Sequence, residues 1–171
     1  WREGSGIDGI KTGHTAKAGY CLLASAKRGE QRFISIVLGI ESKSQSEGFR
    51  LRETGNLNLL EWGFRFFESH KLYDANSKIA AQKVWKGEAD EVTLGITQPL
   101  LLSVKRGRYA DLKPAMDVTK TLVAPIKKGQ VLGKLRVSLD GQVIAERPLV
   151  ALADVPEGGF FKRLWDEFWM W

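Results

Sequence analysis

The stretch Ala18-Gly19-Tyr20-Cys21-Leu22-Leu23-Ala24-Ser25-Ala26-Lys27-Arg28-Gly29-Glu30-Gln31-Arg32-Phe33-Ile34-Ser35-Ile36-Val37-Leu38-Gly39 decides the fold. Two apolar runs, 18–26 and 31–39, flank Lys27-Arg28-Gly29-Glu30, whose glycine supplies a turn, so the pair reads as an antiparallel hairpin. Upstream, residues 7–13 read as a short strand joined to it through His14-Thr15-Ala16-Lys17, which makes a three-stranded meander at one side of a sheet. Apolar residues this dense predict cover on both faces of that sheet.

Downstream, Phe49, Leu57, Leu60, Phe64 and Phe67 recur at helical spacing between residues 46 and 69, with Trp62 and Phe66 widening the stripe. This predicts a helix that covers the sheet despite Gly55, with His70 as a surface or capping residue at its end. From about Leu72 the pattern changes to short strands broken by glycine, proline and lysine turns, including 91–97, 100–104, 116–124 and 131–139. Asp140-Gly141 favours the positive φ of a tight hairpin turn, Pro148 belongs at an edge or strand end, and residues 125–130 form another turn. The predicted fold is α+β, with antiparallel strands and a covering helix over residues 1–71, a small all-β domain over 72–156, and a terminal amphipathic helix over 157–171.

Composition excludes several classes. There is no run of about 18 apolar residues for a membrane span, and nothing near Trp1 resembles a signal sequence. A first residue other than Met suggests a start inside a longer polypeptide. Cys21 is the only cysteine, so neither an intrachain disulfide nor a cysteine-rich metal site is possible; Cys21 in its apolar run reads as packing, and no metal or other cofactor is expected. A net charge of +6 would suit nucleic acid, an anionic membrane or an acidic polymer, but zinc-finger spacing, aromatic RNA-recognition signatures and long basic helices are all missing, and nucleic acid is not expected as a partner.

The chain ends in a more informative segment. After Val155-Pro156-Glu157-Gly158-Gly159, read as a flexible break, Phe160, Phe161, Leu164, Trp165, Phe168, Trp169 and Trp171 fall on one half of a helical wheel, and Lys162, Arg163, Asp166 and Glu167 on the other. At about 1.5 Å per residue such a helix is about 21 Å long, short of a hydrocarbon layer of about 30 Å. It can lie on a membrane surface with its tryptophans at the interface and with Lys162 and Arg163 meeting lipid phosphates. Docking of the aromatic face on the protein's own core is the competing reading.

Lys11-Thr12-Gly13, within Asp8-Gly9-Ile10-Lys11-Thr12-Gly13-His14-Thr15, ends the first strand. A strand edge of this kind can pair with an extended peptide while a cation and a hydroxyl hold an anionic group and glycine permits close approach. A simple strand and turn would also account for the tripeptide.

The longer context is more specific. With Ala18-Gly19-Tyr20, Ile34-Ser35-Ile36-Val37-Leu38-Gly39, Trp62-Gly63-Phe64-Arg65-Phe66-Phe67-Glu68, Lys127-Lys128-Gly129-Gln130-Val131, Arg147-Pro148-Leu149 and Glu157-Gly158-Gly159-Phe160-Phe161, nearly the whole chain resembles the low-molecular-mass penicillin-binding proteins that act as D-alanyl-D-alanine carboxypeptidases. The resemblance implies a transpeptidase-like domain of the serine β-lactamase fold, then a β-rich domain, then an anchor on the periplasmic face of the bacterial inner membrane. It implies removal of the terminal D-alanine from peptidoglycan stem peptides by a serine nucleophile in a Ser-x-x-Lys motif, and acylation by β-lactam antibiotics.

The chain contains neither Ser-x-x-Lys nor Ser-x-Asn, so alone it is expected to be inactive. An upstream segment, a companion chain or domain exchange would have to complete the site. By the same resemblance Lys11 supports the site electrostatically, Thr12 donates its hydroxyl to the substrate carboxylate, Gly13 allows close approach, and His14 lends its backbone N–H to the oxyanion hole. A non-catalytic membrane-bound scaffold near the cell wall is the alternative from another class, and a soluble β-lactamase relative is disfavoured by the β-rich domain and aromatic tail.

Overall fold

A computed structural model describes residues 6–169, with side chains as far as Glu167. The side chains of Phe168 and Trp169, all of Met170 and Trp171, and residues 1–5 lie outside the described residues. The chain divides into two compact units: one holds residues up to His70 together with Ser103–Gly107, the other Lys71–Leu102 together with residues from Arg108 onward. The architecture is α+β, and its second part is sheet-dominated.

In the first unit, β1 (Ile7–Thr15), β2 (Gly19–Arg28) and β3 (Gln31–Ile40) form an antiparallel sheet in that order. Arg28 pairs with Gln31, leaving Gly29-Glu30 as the turn, and Gly29 takes the left-handed φ of 58° that a side chain would resist. A helix, α1 (Gln45–Phe66), starts where the Ser44 hydroxyl accepts the N–H of Glu47 and lies over one face of the sheet. Leu22, Ala24 and Ala26 meet Leu60 and Phe64 there, and all five are buried.

The buried side of α1 is not the aromatic stripe predicted. Its buried residues are Gly48, Arg52, Asn56, Leu60, Gly63 and Phe64, while Phe49 and Leu57 are half-buried and Trp62 and Phe66 exposed. Close approach sets this phase: a Cβ on Gly48 would stand 2.3 Å from the ring of buried Tyr20. Gly48→Ala is therefore expected to be destabilising. Overpacking costs of about 1–3 kcal/mol exceed the gain of about 1 kcal/mol in helix propensity, and a thermal melt of the chain measures the difference.

The helix also ends sooner than predicted. Phe67 is extended and donates its N–H to Gly63 O, so residues from Phe67 enter β4 (Phe67–Tyr73) and His70 sits within a strand, not at a helix end. On the other face of the sheet Ile34, Ile36 and Leu38 are 61%, 58% and 69% exposed. Within the described residues only the α1 face is covered, against the expectation of cover on both.

The second unit holds β5 (Ala80–Trp85), β6 (Glu91–Gly95), β8 (Lys113–Val118), β9 (Leu122–Val123), β10 (Val131–Leu139), β11 (Gln142–Ala151) and a terminal helix, α2 (Phe160–Trp169), while β7 (Leu100–Lys105) begins in it and ends in the first. β7 pairs with β4 in a two-stranded sheet, the other six strands lie in the order β8-β10-β11-β6-β5-β9, and α2 follows β11 in the chain. Val84, Val92, Leu94, Leu122, Ile126 and Leu132 form one buried cluster, and Ile96, Leu100, Leu135, Val137 and Leu149 another. The strand predicted over 116–124 is two strands, broken where the Thr119 N–H turns to Leu132 O at 3.0 Å.

Asp140 and Gly141 make the two-residue turn between β10 and β11, with φ of 52° and 78°. Although β11 is interior in strand order, Pro148 pairs with Lys134 of β10 on one side while β6 reaches only Val150 and Ala151 on the other. Its missing N–H therefore costs no ladder bond to β6.

Candidate functional site

β1 stands at the edge of its three-stranded sheet, and Lys11, Thr12, Gly13 and His14 are all exposed on it. Register gives their faces. Thr12 lies opposite Leu22 and His14 opposite Tyr20, both buried toward α1, while Lys11 and Gly13 lie opposite Leu23 and Cys21 on the alternate face. Lys11 Nζ donates to Thr12 O at 2.8 Å, and Gly9, Ile10, Lys11, Thr12 and Leu22 line a shallow cleft of about 290 Å³.

The His14 ring stacks on Tyr20, centroids 4.0 Å apart, and Tyr20 in turn meets Phe49 edge-on. Thr15 Oγ1 accepts the Ala18 N–H at 3.0 Å and closes the turn into β2. Asp8, near the other end of β1, is engaged by Arg32, 2.7 Å away, and hydrogen bonding from Arg32 and then Ser25 holds its carboxyl below the ordinary range. Ser25 and Ser35 likewise serve structure: Ser25 Oγ accepts from Arg32, and Ser35 donates to Asn56. Cys21 is half-buried, its Sγ 3.5 Å from Ala18 O.

One residue that supports this edge escaped the sequence reading. Arg52, buried on α1, sends Nη1 to Gly13 O and Cys21 O, each at 3.3 Å, and its guanidinium lies 4.5 Å from the Phe49 ring centroid. It thereby ties β1 and β2 to the helix at Gly13. Its signal was the spacing 48, 52, 56, 60, 64, a four-residue series hidden because only two of its members are apolar.

The second candidate is α2, in the other unit. Phe160, Phe161, Leu164 and Trp165 are 66%, 84%, 62% and 68% exposed. The charged side is engaged with its own unit. Lys162 Nζ is 2.6 Å from Asp90 Oδ1, Arg163 Nη1 2.7 Å from Glu157 Oε2, Asp166 Oδ2 accepts the Lys86 N–H at 2.6 Å, and Glu167 pairs with the Lys86 ammonium. Aromatic docking onto the core is thus not what the described side chains do, since Phe160, Phe161, Leu164 and Trp165 remain largely in solvent.

The approach to α2, read from sequence as a flexible break, is pinned. The Glu88 N–H donates to Pro156 O and the Gly158 N–H to Lys86 O, each at 2.8 Å, and Gly87 bridges Glu157. Gly158 serves close approach, because a Cβ there would stand 2.8 Å from Gly87 O.

Asp90 is held below the ordinary carboxylate range chiefly by its bond from Lys162, with Lys83 adding a smaller attraction. A depressed carboxylate contributes docking above its unfolded value and loses it as pH falls through the lower folded one. The Lys162–Asp90 contact is therefore expected to hold through neutral pH and to weaken only below about pH 3.9, the ordinary aspartate value. The NMR shift of the Asp90 carboxyl carbon, followed against pH in the wild type and in Lys162→Gln, measures this.

Comparison with known proteins places these features in context. Residues 67–157 match the family described as penicillin-binding protein 5, C-terminal domain, and residues 1–42 the family described as D-alanyl-D-alanine carboxypeptidase. The chain is 42% identical over 167 residues to D-alanyl-D-alanine carboxypeptidase DacA of Escherichia coli, covering 97% of this chain and 40% of that protein. It is 37% identical over 160 residues to DacF of Bacillus subtilis, covering 93% of this chain and 40% of that one. Among solved structures, penicillin-binding protein 5 from Haemophilus influenzae matches with a TM-score of 0.77 at 37% identity, over 88% of this chain and 43% of that one. The chain thus spans about 40% of the length of the curated relatives it matches.

Proposed function

Because the chain belongs to the penicillin-binding protein 5 C-terminal domain family and also matches the D-alanyl-D-alanine carboxypeptidase family over residues 1–42, we propose that it is the downstream part of a serine-type D-alanyl-D-alanine carboxypeptidase that trims peptidoglycan stem peptides and is acylated by β-lactams. The observation that carries this is the exposed edge of β1 bearing Lys11, Thr12, Gly13 and His14.

In this reading an extended stem peptide aligns along β1. Lys11 supplies positive charge, Thr12 donates to the terminal carboxylate, Gly13 admits the substrate, and the backbone N–H of His14 stabilises the oxyanion. The nucleophilic serine and its lysine belong to sequence outside this chain, whose 171 residues contain no Ser-x-x-Lys. The uncovered face bearing Ile34, Ile36 and Leu38 favours packing against that remaining part of the catalytic head. Residues 72–156 serve as a β-rich spacer and 157–171 as a peripheral anchor on the periplasmic face of the inner membrane, where the exposed aromatics of α2 enter the interface.

A fluorescent penicillin tests the enzymatic reading. The whole protein labels covalently and loses the label when its upstream serine is replaced, whereas this chain alone stays dark; labelling of the chain alone rejects the assignment. For the anchor, sedimentation with vesicles is expected to carry the chain down, and deletion after Gly159 to leave it in the supernatant.

A further inference from the structure

All four charged side chains of α2 are spent within its own unit: Lys162 on Asp90, Arg163 on Glu157, and Asp166 and Glu167 on the backbone and side chain of Lys86. A cleft of about 270 Å³ runs beside the helix, and the two cations lining it, Lys86 and Arg163, are the same paired ones. To meet a lipid phosphate, Lys162 or Arg163 must first abandon a carboxylate, exchanging one charge-assisted bond for another of similar strength. The apolar side needs no such exchange, because Phe160, Phe161 and Leu164 are already more than half exposed.

We propose that the polar side of α2 is a clamp onto the β-rich unit and not a lipid-phosphate contact, so that the bilayer is recognised through aromatic burial with little regard to lipid charge. This rests on the membrane reading of α2 given above and differs from the lipid-phosphate role that sequence alone assigns to Lys162 and Arg163. The pinned segment before the helix belongs to the same device: bonds at Pro156 and Gly158 fix where α2 begins, and the ion pairs fix its rotation. The aromatic side is thereby presented in one orientation relative to the sheet that carries it.

The test compares the intact chain on vesicles of phosphatidylcholine alone and of phosphatidylcholine with phosphatidylglycerol, at low and high salt. The expected result is binding to both within about threefold. The variant Asp90→Asn/Glu157→Gln frees Lys162 and Arg163 and is expected to raise the preference for phosphatidylglycerol by about fivefold per released cation, beyond a Glu41→Gln/Glu53→Gln control of equal charge change. If cations of the wild-type helix already touch phosphate, the opposite pattern appears. Asp90→Asn/Glu157→Gln then matches the control, while Lys162→Gln/Arg163→Gln abolishes binding to phosphatidylglycerol vesicles, and that outcome overturns the clamp. Failure of the wild-type chain to bind either vesicle overturns instead the membrane reading on which the clamp rests.

Discussion

Asn56→Leu is expected to cost the chain about 2–4 kcal/mol, a fall in thermal midpoint of about 4–16 °C at this size. Asn56 is fully buried between α1 and the sheet, where an amide is tolerated only if its groups are paired. Its Oδ1 accepts from Ser35 Oγ at 2.6 Å, and its Nδ2 donates to Leu22 O at 3.2 Å and to Arg52 O at 2.9 Å. One side chain thus joins β2, β3 and the helix.

Leucine keeps the branching and the heavy-atom number of asparagine and leaves no cavity, so the loss reflects chiefly polar groups left without a partner. The Ser35 hydroxyl is the most exposed to this penalty, being itself buried. Adding Ser35→Ala removes that stranded group. The double variant is therefore expected to recover about 1 kcal/mol relative to additivity. A neutral Asn56→Leu would mean that the pairing contributes nothing net, and additivity with Ser35→Ala would mean that the two side chains are not coupled.

The same residue shows why part of the fold is legible in sequence and part is not. The hairpin of β2 and β3 follows from local facts: two apolar runs of strand length and a glycine at the turn position that takes positive φ. Asp140-Gly141 is legible for the same reason. The buried stripe of α1 is different, since Gly48, Arg52, Asn56 and Gly63 are buried for what they allow or bridge and not for hydrophobicity. A hydrophobic periodicity finds Leu60 and Phe64 and then drifts onto Phe49, Trp62 and Phe66, which are bulky but less buried.

Strand β5 was missed because Ala80-Ala81-Gln82-Lys83 carries little β propensity. Its place comes from tertiary pairing with β6 on one side and β9 on the other. The segment 155–159 misled in the opposite direction. Glycine and proline there read as flexibility, whereas Gly158 is small because Gly87 O lies against it. For α2 the amphipathic pattern is legible in sequence and the engagement of its charges is not: Lys162 pairs with Asp90, distant in sequence, and Arg163 with Glu157 just before the helix.

Within the whole carboxypeptidase proposed above, Lys11→Ala is expected to slow acylation by a fluorescent penicillin by about 100-fold or more, the scale of removing one preorganised electrostatic donor. The loss should fall on chemistry and not on folding. Lys11 is exposed on an edge strand, and its bond to Thr12 O, a backbone oxygen of the next residue, crosses no packing interface. His14→Ala separates the roles further. The proposed contribution of His14 is its main-chain N–H, which alanine retains, and its imidazole is occupied in stacking on Tyr20. Acylation by the His14→Ala protein should therefore stay within about threefold of wild type, well inside the loss expected for a catalytic group, with a small drop in thermal midpoint from the lost stacking. Parallel acylation rates and melts for the two variants discriminate the readings: an equal, large loss at His14 would make the imidazole itself a participant, and an unchanged rate in Lys11→Ala would remove this strand from the site.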